Sequence, residues 1–260
     1  MNKADRSDRA KQAQSKSDKP SDTLKVGPNQ VVCLDNYVDE ATCSAWLSQV
    51  LANQDEMETR FEFIHSYGSS WYLDIEHGLL AYYHANAEHT NELLHALPNL
   101  VETLADSAKF LEAPDGSTGL PSRPRSQNLG PYWADAGVVL MMKGTEGVVH
   151  ADYEGIAPYP PMLFDPQTRA YSAVLSLATA ASGGNLMIWK SRKLASEELE
   201  LDDSCAQEVA YSVGSLSIFD SFCYHRIMAS KLDDNHRFRA IAAVHFLYLD
   251  KPYPHFEYWF

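Results

Sequence analysis

The chain has 260 residues, 45% of them apolar, enough for one large core, and β-rich chains of this length commonly form a single domain. Its 35 acidic against 21 basic residues give a formal charge of −14, which repels nucleic-acid backbones and anionic membranes, and the folded part carries no basic patch to overcome that. No apolar run approaches the ~20 residues of a membrane span, the start lacks the apolar stretch of a signal peptide, and the four cysteines show no CxxC spacing, so they are expected to be reduced, buried thiols of a cytoplasmic protein.

Residues 1–25 mix charges with Ser, Ala and Gln and hold little to bury, so a disordered tail is expected, followed by one domain over 26–260. Val31–Leu34 reads as a strand. Asp39 then caps a helix whose Cys43, Trp46, Leu47, Val50 and Leu51 recur at helical spacing. The aromatic and branched stretches 61–64, 71–75 and 79–83 suit a pleated surface and predict strands. Residues 90–97 look helical, and Pro98 either kinks that helix or opens a second one running to Leu111. These helices are expected to buttress a sheet from outside. His65, His77, His84, His89 and His95 lie in this half without a partner at ligand spacing, and 113–131, rich in Pro, Gly and Ser, reads as a loop.

The second half carries the chemistry. Gly137-Val-Val-Leu-Met-Met142 reads as a strand, Gly144 and Gly147 bound a turn, and His150-Ala-Asp152 follows. In an extended segment side chains two apart share a face, so His150 and Asp152 can offer an imidazole nitrogen and a carboxylate oxygen to one ion. His225 can complete the set, because it sits just after a strand-like run, Gly214 to Phe219, expected to lie antiparallel to the first. Two histidines and one carboxylate on one octahedral face leave open positions, the arrangement of non-haem Fe(II) oxygenases. With ten His and 35 Asp plus Glu, chance alone supplies roughly one His-x-Asp/Glu triplet, and His255-Phe-Glu257 is a second one. The strand context distinguishes the first.

After Asp152, residues 153–166 hold four prolines that block regular pairing; this segment is either a substrate lid or a surface connection. Tyr171–Leu177 and Asn185–Trp189 read as paired strands joined by a Ser182-Gly-Gly184 turn. Strands near 208–211, 215–219 and 238–249 complete a set of short strands without βαβ alternation. The fold class is therefore mainly β with flanking helices, an antiparallel sandwich or barrel.

In order and spacing, residues 130–250 resemble the 2-oxoglutarate/Fe(II)-dependent oxygenase superfamily. The pieces are His150-Ala-Asp152, Gly183-Gly-Asn-Leu-Met-Ile-Trp189, Gly214 to Asp220, Tyr224-His-Arg226 and Arg237-Phe-Arg-Ala-Ile241. The ending also resembles the freestanding halogenases of indole-alkaloid pathways and their amino-acid hydroxylase relatives. The resemblance implies a double-stranded β-helix, or jelly roll, with Fe(II) on His150, Asp152 and His225. It implies 2-oxoglutarate as cosubstrate, decarboxylated to succinate as O2 oxidises a C–H bond of a small molecule such as an amino acid or secondary metabolite, most simply by hydroxylation. Where halogenating relatives have Gly or Ala, Asp152 supplies a carboxylate, which implies oxygen rather than halogen transfer.

The far carboxylate of 2-oxoglutarate calls for an arginine fork. Arg237 and Arg239 share strand parity and both can face inward. The superfamily's Arg-x-Ser pattern points to Arg237, and counting back from the last strand points to Arg239. Arg226 is open between touching substrate and facing solvent. The alternatives in function are an oxygenase acting on a protein side chain and a jelly-roll binding protein whose metal site is idle.

Overall fold

The computed structural model describes residues 24–260 apart from 62, 71–73, 75–77, 79, 131, 143, 145, 154–159 and 193–200. The expected tail, nearly all of the strand expected at 71–75 and the middle of the 153–166 segment lie outside the described residues.

The chain enters through β1 (Val31–Leu34) and α1 (Glu40–Ala52). The Asp39 side chain accepts from the Thr42 backbone N–H at 2.8 Å, the cap expected from the sequence. Strands β2 (Met57–Phe61) and β3 (Ile64–Tyr67) form a hairpin, so the run expected as one strand at 61–64 begins at the end of β2 and finishes at the start of β3. Helix α2 (Leu80–His95) replaces the strand expected at 79–83. Its buried Tyr83, Ala87, Thr90 and Leu94 recur every three to four residues, and this helical period overrides the strand preference of the aromatics in its first turn. After Pro98 a second helix does open, α3 (Leu100–Ala105), continued by a 3-10 turn to Phe110. The expected loop at 113–131 contains β4 (Ser122–Pro124) and the short α4 (Ser126–Leu129).

The remaining strands are β5 (Gly137–Met141), β6 (Ala170–Ala178), β7 (Ser182–Gly183), β8 (Leu186–Arg192), β9 (Ala206–Val209), β10 (Leu216–Asp220), β11 (Cys223–Ile227), β12 (Ser230–Lys231), β13 (Arg239–Leu249) and β14 (His255–Trp259), with the short α5 (Pro160–Leu163) before β6. The large sheet runs β1-β10-β6-β13-β5-β3-β2, with β14 paired to β13 and β4; a smaller one runs β11-β8-β9 with His150 bridged antiparallel to His225 at its edge, and β12 pairs with β7. From β5 the chain passes to the His150 bridge, back to β6, across to β8 and β9, back to β10, across to β11 and back to β13. That alternation between two antiparallel sheets is the winding of a jelly roll.

The same winding corrects the expected β6–β8 hairpin. β6 pairs with β10 and β13, while β8 pairs with β11 and β9. Gly183 and Gly184, with φ of 70° and 72°, carry the chain from one sheet to the other, a left-handed conformation that glycine adopts without a Cβ penalty. A Cβ on Gly183 would also meet the Ala229 carbonyl oxygen.

Strand parity divides the core. On the outer face of the large sheet, Tyr171, Ala173, Leu175, Ala242, Val244 and Phe246 pack against Trp46, Val50, Leu97, Leu100 and Leu104 of the helical layer. On the inner face, Val139, Val174, Phe219 and Ala243 meet Leu186, Ile188 and Val209 of the small sheet. The helices therefore lie outside and the space between the sheets is left for a site. Among the described residues no helix is long and apolar enough to cross a membrane. The four thiols are free, with Cys43 and Cys223 buried, Cys33 half-buried and Cys205 exposed, so burial holds for only part of the set.

Candidate metal centre

Between the sheets lies a cavity of about 360 Å³, walled by apolar side chains such as Ile64, Val139, Phe219 and Ile227 and reached by a few polar ones. His150, Asp152 and His225 meet there, with one ligand atom from each within 4.8 Å of the others, and among the described residues they are the group able to hold a metal ion. The backbone explains the meeting. His150 N–H donates to the His225 carbonyl at 3.0 Å and His225 N–H donates back at 2.8 Å, while Asp152 N–H donates to Ser221 O at 2.8 Å. The distal histidine is thus paired directly beside the first, from β11, whereas the preceding run, expected beside His150, lies in the opposite sheet as β10.

Each imidazole is oriented by its own chain. His150 Nδ1 lies 3.0 Å from Val148 O and His225 Nδ1 lies 3.1 Å from Cys223 O. A carbonyl only accepts, so both Nδ1 atoms carry the proton and both Nε2 atoms present a lone pair. Those Nε2 atoms each stand 3.5 Å from Asp152 Oδ1. Burial pushes the His225 imidazole down to about 4 despite the neighbouring Asp152, which keeps it a neutral donor. Burial would raise the Asp152 carboxyl, but the surrounding imidazoles, His225 foremost, and the Ser172 hydroxyl bring it below the usual carboxylate range. Two imidazole nitrogens and one ionised oxygen, convergent and with His225 and Asp152 buried, fit a divalent ion of the Fe(II) type.

Arg239 opens β13 on the inner face and lines the same cavity. It is only 3% exposed, yet its Nε and Nη2 have no hydrogen-bond partner; Nη1 reaches the Met141 sulfur at 3.3 Å, and the Tyr211 hydroxyl lies close enough to interact with the guanidinium. A buried guanidinium with unmet donors fits a ligand carboxylate. Tyr211 lies beneath it, with the guanidinium 4.6 Å from the ring centroid. Burial lifts the Tyr211 hydroxyl to about 12, Arg239 opposing, so that hydroxyl stays a donor. Arg237 shares parity with Arg239 but precedes the strand and is exposed; parity has no force where no strand extends. Arg226, next to His225, lies on the other side of β11, where it pairs with Glu146 at 3.1 Å and covers the Trp189 ring.

The competing triplet is structural. Glu257 is fully buried against Arg125 Nε at 2.7 Å and also accepts from Asn128, and Arg125 stacks over Trp259 at 3.5 Å. Sequence reasoning passed over Tyr211, Ser172, Ser221 and His245. A polar residue recurring at inner-face parity within an apolar strand, as Ser172 in β6 and His245 in β13, was the available signal.

No family model and no curated protein matches the chain. Among solved structures it is similar to a Pseudomonas putida prolyl-4-hydroxylase, with 15% identity and a TM-score of 0.40 over 84% of this chain and 91% of that one. It is similar also to the epimerase SnoN in complex with Fe3+, alpha ketoglutarate and nogalamycin RO, with 12% identity and a TM-score of 0.46 over 83% and 78%. The non-heme monooxygenase ThoJ in its Ni complex gives 16% identity and a TM-score of 0.42 over 84% and 73%. In the cavity of this chain two histidines, one carboxylate and one buried arginine converge between the sheets of a jelly roll.

Proposed function

We propose that this chain is an Fe(II)/2-oxoglutarate-dependent dioxygenase that hydroxylates a C–H bond of a small molecule. One observation carries the reading: a single cavity holds both a tautomer-fixed His-carboxylate-His group and a buried arginine with unmet donors. His150, Asp152 and His225 would hold the metal, and Arg239 with Tyr211 would hold the distal carboxylate of 2-oxoglutarate. When bound, the pair supplies O2-driven C–H oxidation coupled to decarboxylation of 2-oxoglutarate to succinate.

The protein's own part is placement. The backbone pairing of His150 with His225 fixes both ring nitrogens before any ion arrives, and Arg239 selects a dianionic acid of the right length by charge and fork geometry. The apolar walls exclude water and keep a substrate C–H bond from competing donors. A volume of about 360 Å³ lies in the small-molecule range and favours such a substrate over a protein side chain, with O2 as the other partner. The free thiols suit a reducing, cytoplasmic setting.

The test is succinate formation from 2-oxoglutarate with Fe(II) and O2 in the purified chain, followed by substrate screening in which product mass rises by one oxygen. An idle binding protein yields no succinate with any substrate, and that result would overturn the proposal.

A further inference from the structure

The carboxylate of Asp152 is held from behind by a chain of side chains that the chemistry above does not use. Ser172 Oγ lies 2.6 Å from Asp152 Oδ2, 2.9 Å from Ser221 Oγ and 3.0 Å from His245 Nδ1. All four residues are buried. A hydroxyl has one proton, and an ionised carboxylate only accepts, so the Ser172 proton points at Asp152. Both other neighbours must then donate to Ser172. His245 is therefore protonated on Nδ1, and donation runs one way, from His245 N–H to Ser172 and from Ser172 O–H to Asp152.

We infer that Ser172, Ser221 and His245 form a positioning relay that occupies Asp152 Oδ2 and so presents Asp152 to the metal through Oδ1 alone. This rests on the reading of His150, Asp152 and His225 as ligands. Oδ1 is the oxygen facing both Nε2 atoms, and a carboxylate binding through one oxygen leaves open a coordination position that a two-oxygen mode would fill. His245 acts through Ser172, because its Nδ1 is 3.8 Å from Asp152 Oδ2, too far for a direct hydrogen bond. The relay is braced on every side. Ser172 is paired across the sheet with His245 and with Phe219, the His245 ring stacks on Phe260 at 5.7 Å, and Ser221 N–H donates to Ala170 O.

The experiment is titration of the full chain with Co(II), read by visible absorption and by chelator competition, with far-UV circular dichroism on each variant. Wild type takes up one Co(II). Ser172→Ala is expected to weaken binding about 10- to 100-fold, the usual effect of losing a hydrogen-bond partner of a ligand, and to lower the absorption intensity as the second carboxylate oxygen joins the ion. His245→Asn keeps a donor at the Nδ1 position and retains wild-type affinity, whereas His245→Gln, of similar size but with its amide one bond farther out, loses it. Because the residues act in series, His245→Leu added to Ser172→Ala costs nothing more. Additive losses, or equal behaviour of the Asn and Gln variants, would overturn the relay. Wild-type binding with Ser172→Ala unchanged overturns the relay alone, and a wild-type chain that takes up no Co(II) overturns the metal reading itself.

Discussion

Replacing Arg239 by methionine keeps much of the side-chain volume, removes the charge, and gives opposite effects on folding and on ligand binding. In the ligand-free protein Arg239 is 3% exposed and its Nε and Nη2 have no hydrogen-bond partner. An unsatisfied buried donor costs about 1–3 kcal/mol, so Arg239→Met should stabilise the ligand-free fold by about 2 kcal/mol or more. With 2-oxoglutarate present the sign reverses. Losing one partner of a buried charge pair costs about 2–5 kcal/mol, or about 30-fold to about 5,000-fold in affinity. The assay is thermal unfolding of the metal-loaded protein with and without 2-oxoglutarate, in the absence of O2. At about 100 times its dissociation constant a ligand stabilises by about 2.7 kcal/mol, which for a domain of this size raises Tm by about 5–11 °C. Wild type and Arg237→Met should show that rise, and Arg239→Met should start higher and rise by no more than about 3 °C. A full rise in Arg239→Met, or its loss in Arg237→Met, refutes the assignment of the anchor.

His225→Ala should abolish stoichiometric Fe(II) binding under anaerobic calorimetry, since no other imidazole reaches Asp152 Oδ1 from β11. Glu257→Ala should cost about 3–5 kcal/mol by leaving Arg125 buried without its carboxylate, seen as a lower urea midpoint of the metal-free protein, while metal affinity stays unchanged. The metal-free protein should also lose stability as pH falls from about 6.5 to about 4. Burial pushes His225 and His245 down to about 4 from 6.5, so in that window the unfolded chain binds more protons than the folded one and the slope of stability with pH is positive. The depressed Asp152 carboxyl acts in the same direction at lower pH. Urea midpoints measured from pH 7.5 to 4.5 in chelator check this, and a flat profile would contradict the burial argument.

By itself the sequence pointed to the three residues that the fold brings together as a candidate metal group, and to the class of fold. His150 and Asp152 are local in the chain, their spacing follows from backbone geometry, and the short apolar, branched runs of β6, β10 and β13 mark strands whatever they pair with, buried on both faces once folded. The cap at Asp39 and the buried stripe of α1 were legible for the same reason, since capping and helical period act within a few residues. The strand expected at 79–83 failed because aromatic preference is weak and the burial of Tyr83 is set by a helix packed on a distant sheet. Only the tertiary structure decided the rest. The partner of His150 is a register across strands far apart in sequence, and so is the assignment of β6 and β8 to opposite sheets. Arg239 was separated from Arg237 by where β13 begins, which depends on its pairing with β5. Glu257 was removed from the metal candidates by Arg125, more than a hundred residues away in the chain. The Ser172–His245 relay arises in the same way, from two strands brought side by side. Local preferences cost tenths of a kcal/mol to a few kcal/mol and are written in neighbouring residues, whereas a buried polar group takes whichever partner the whole packing brings within reach.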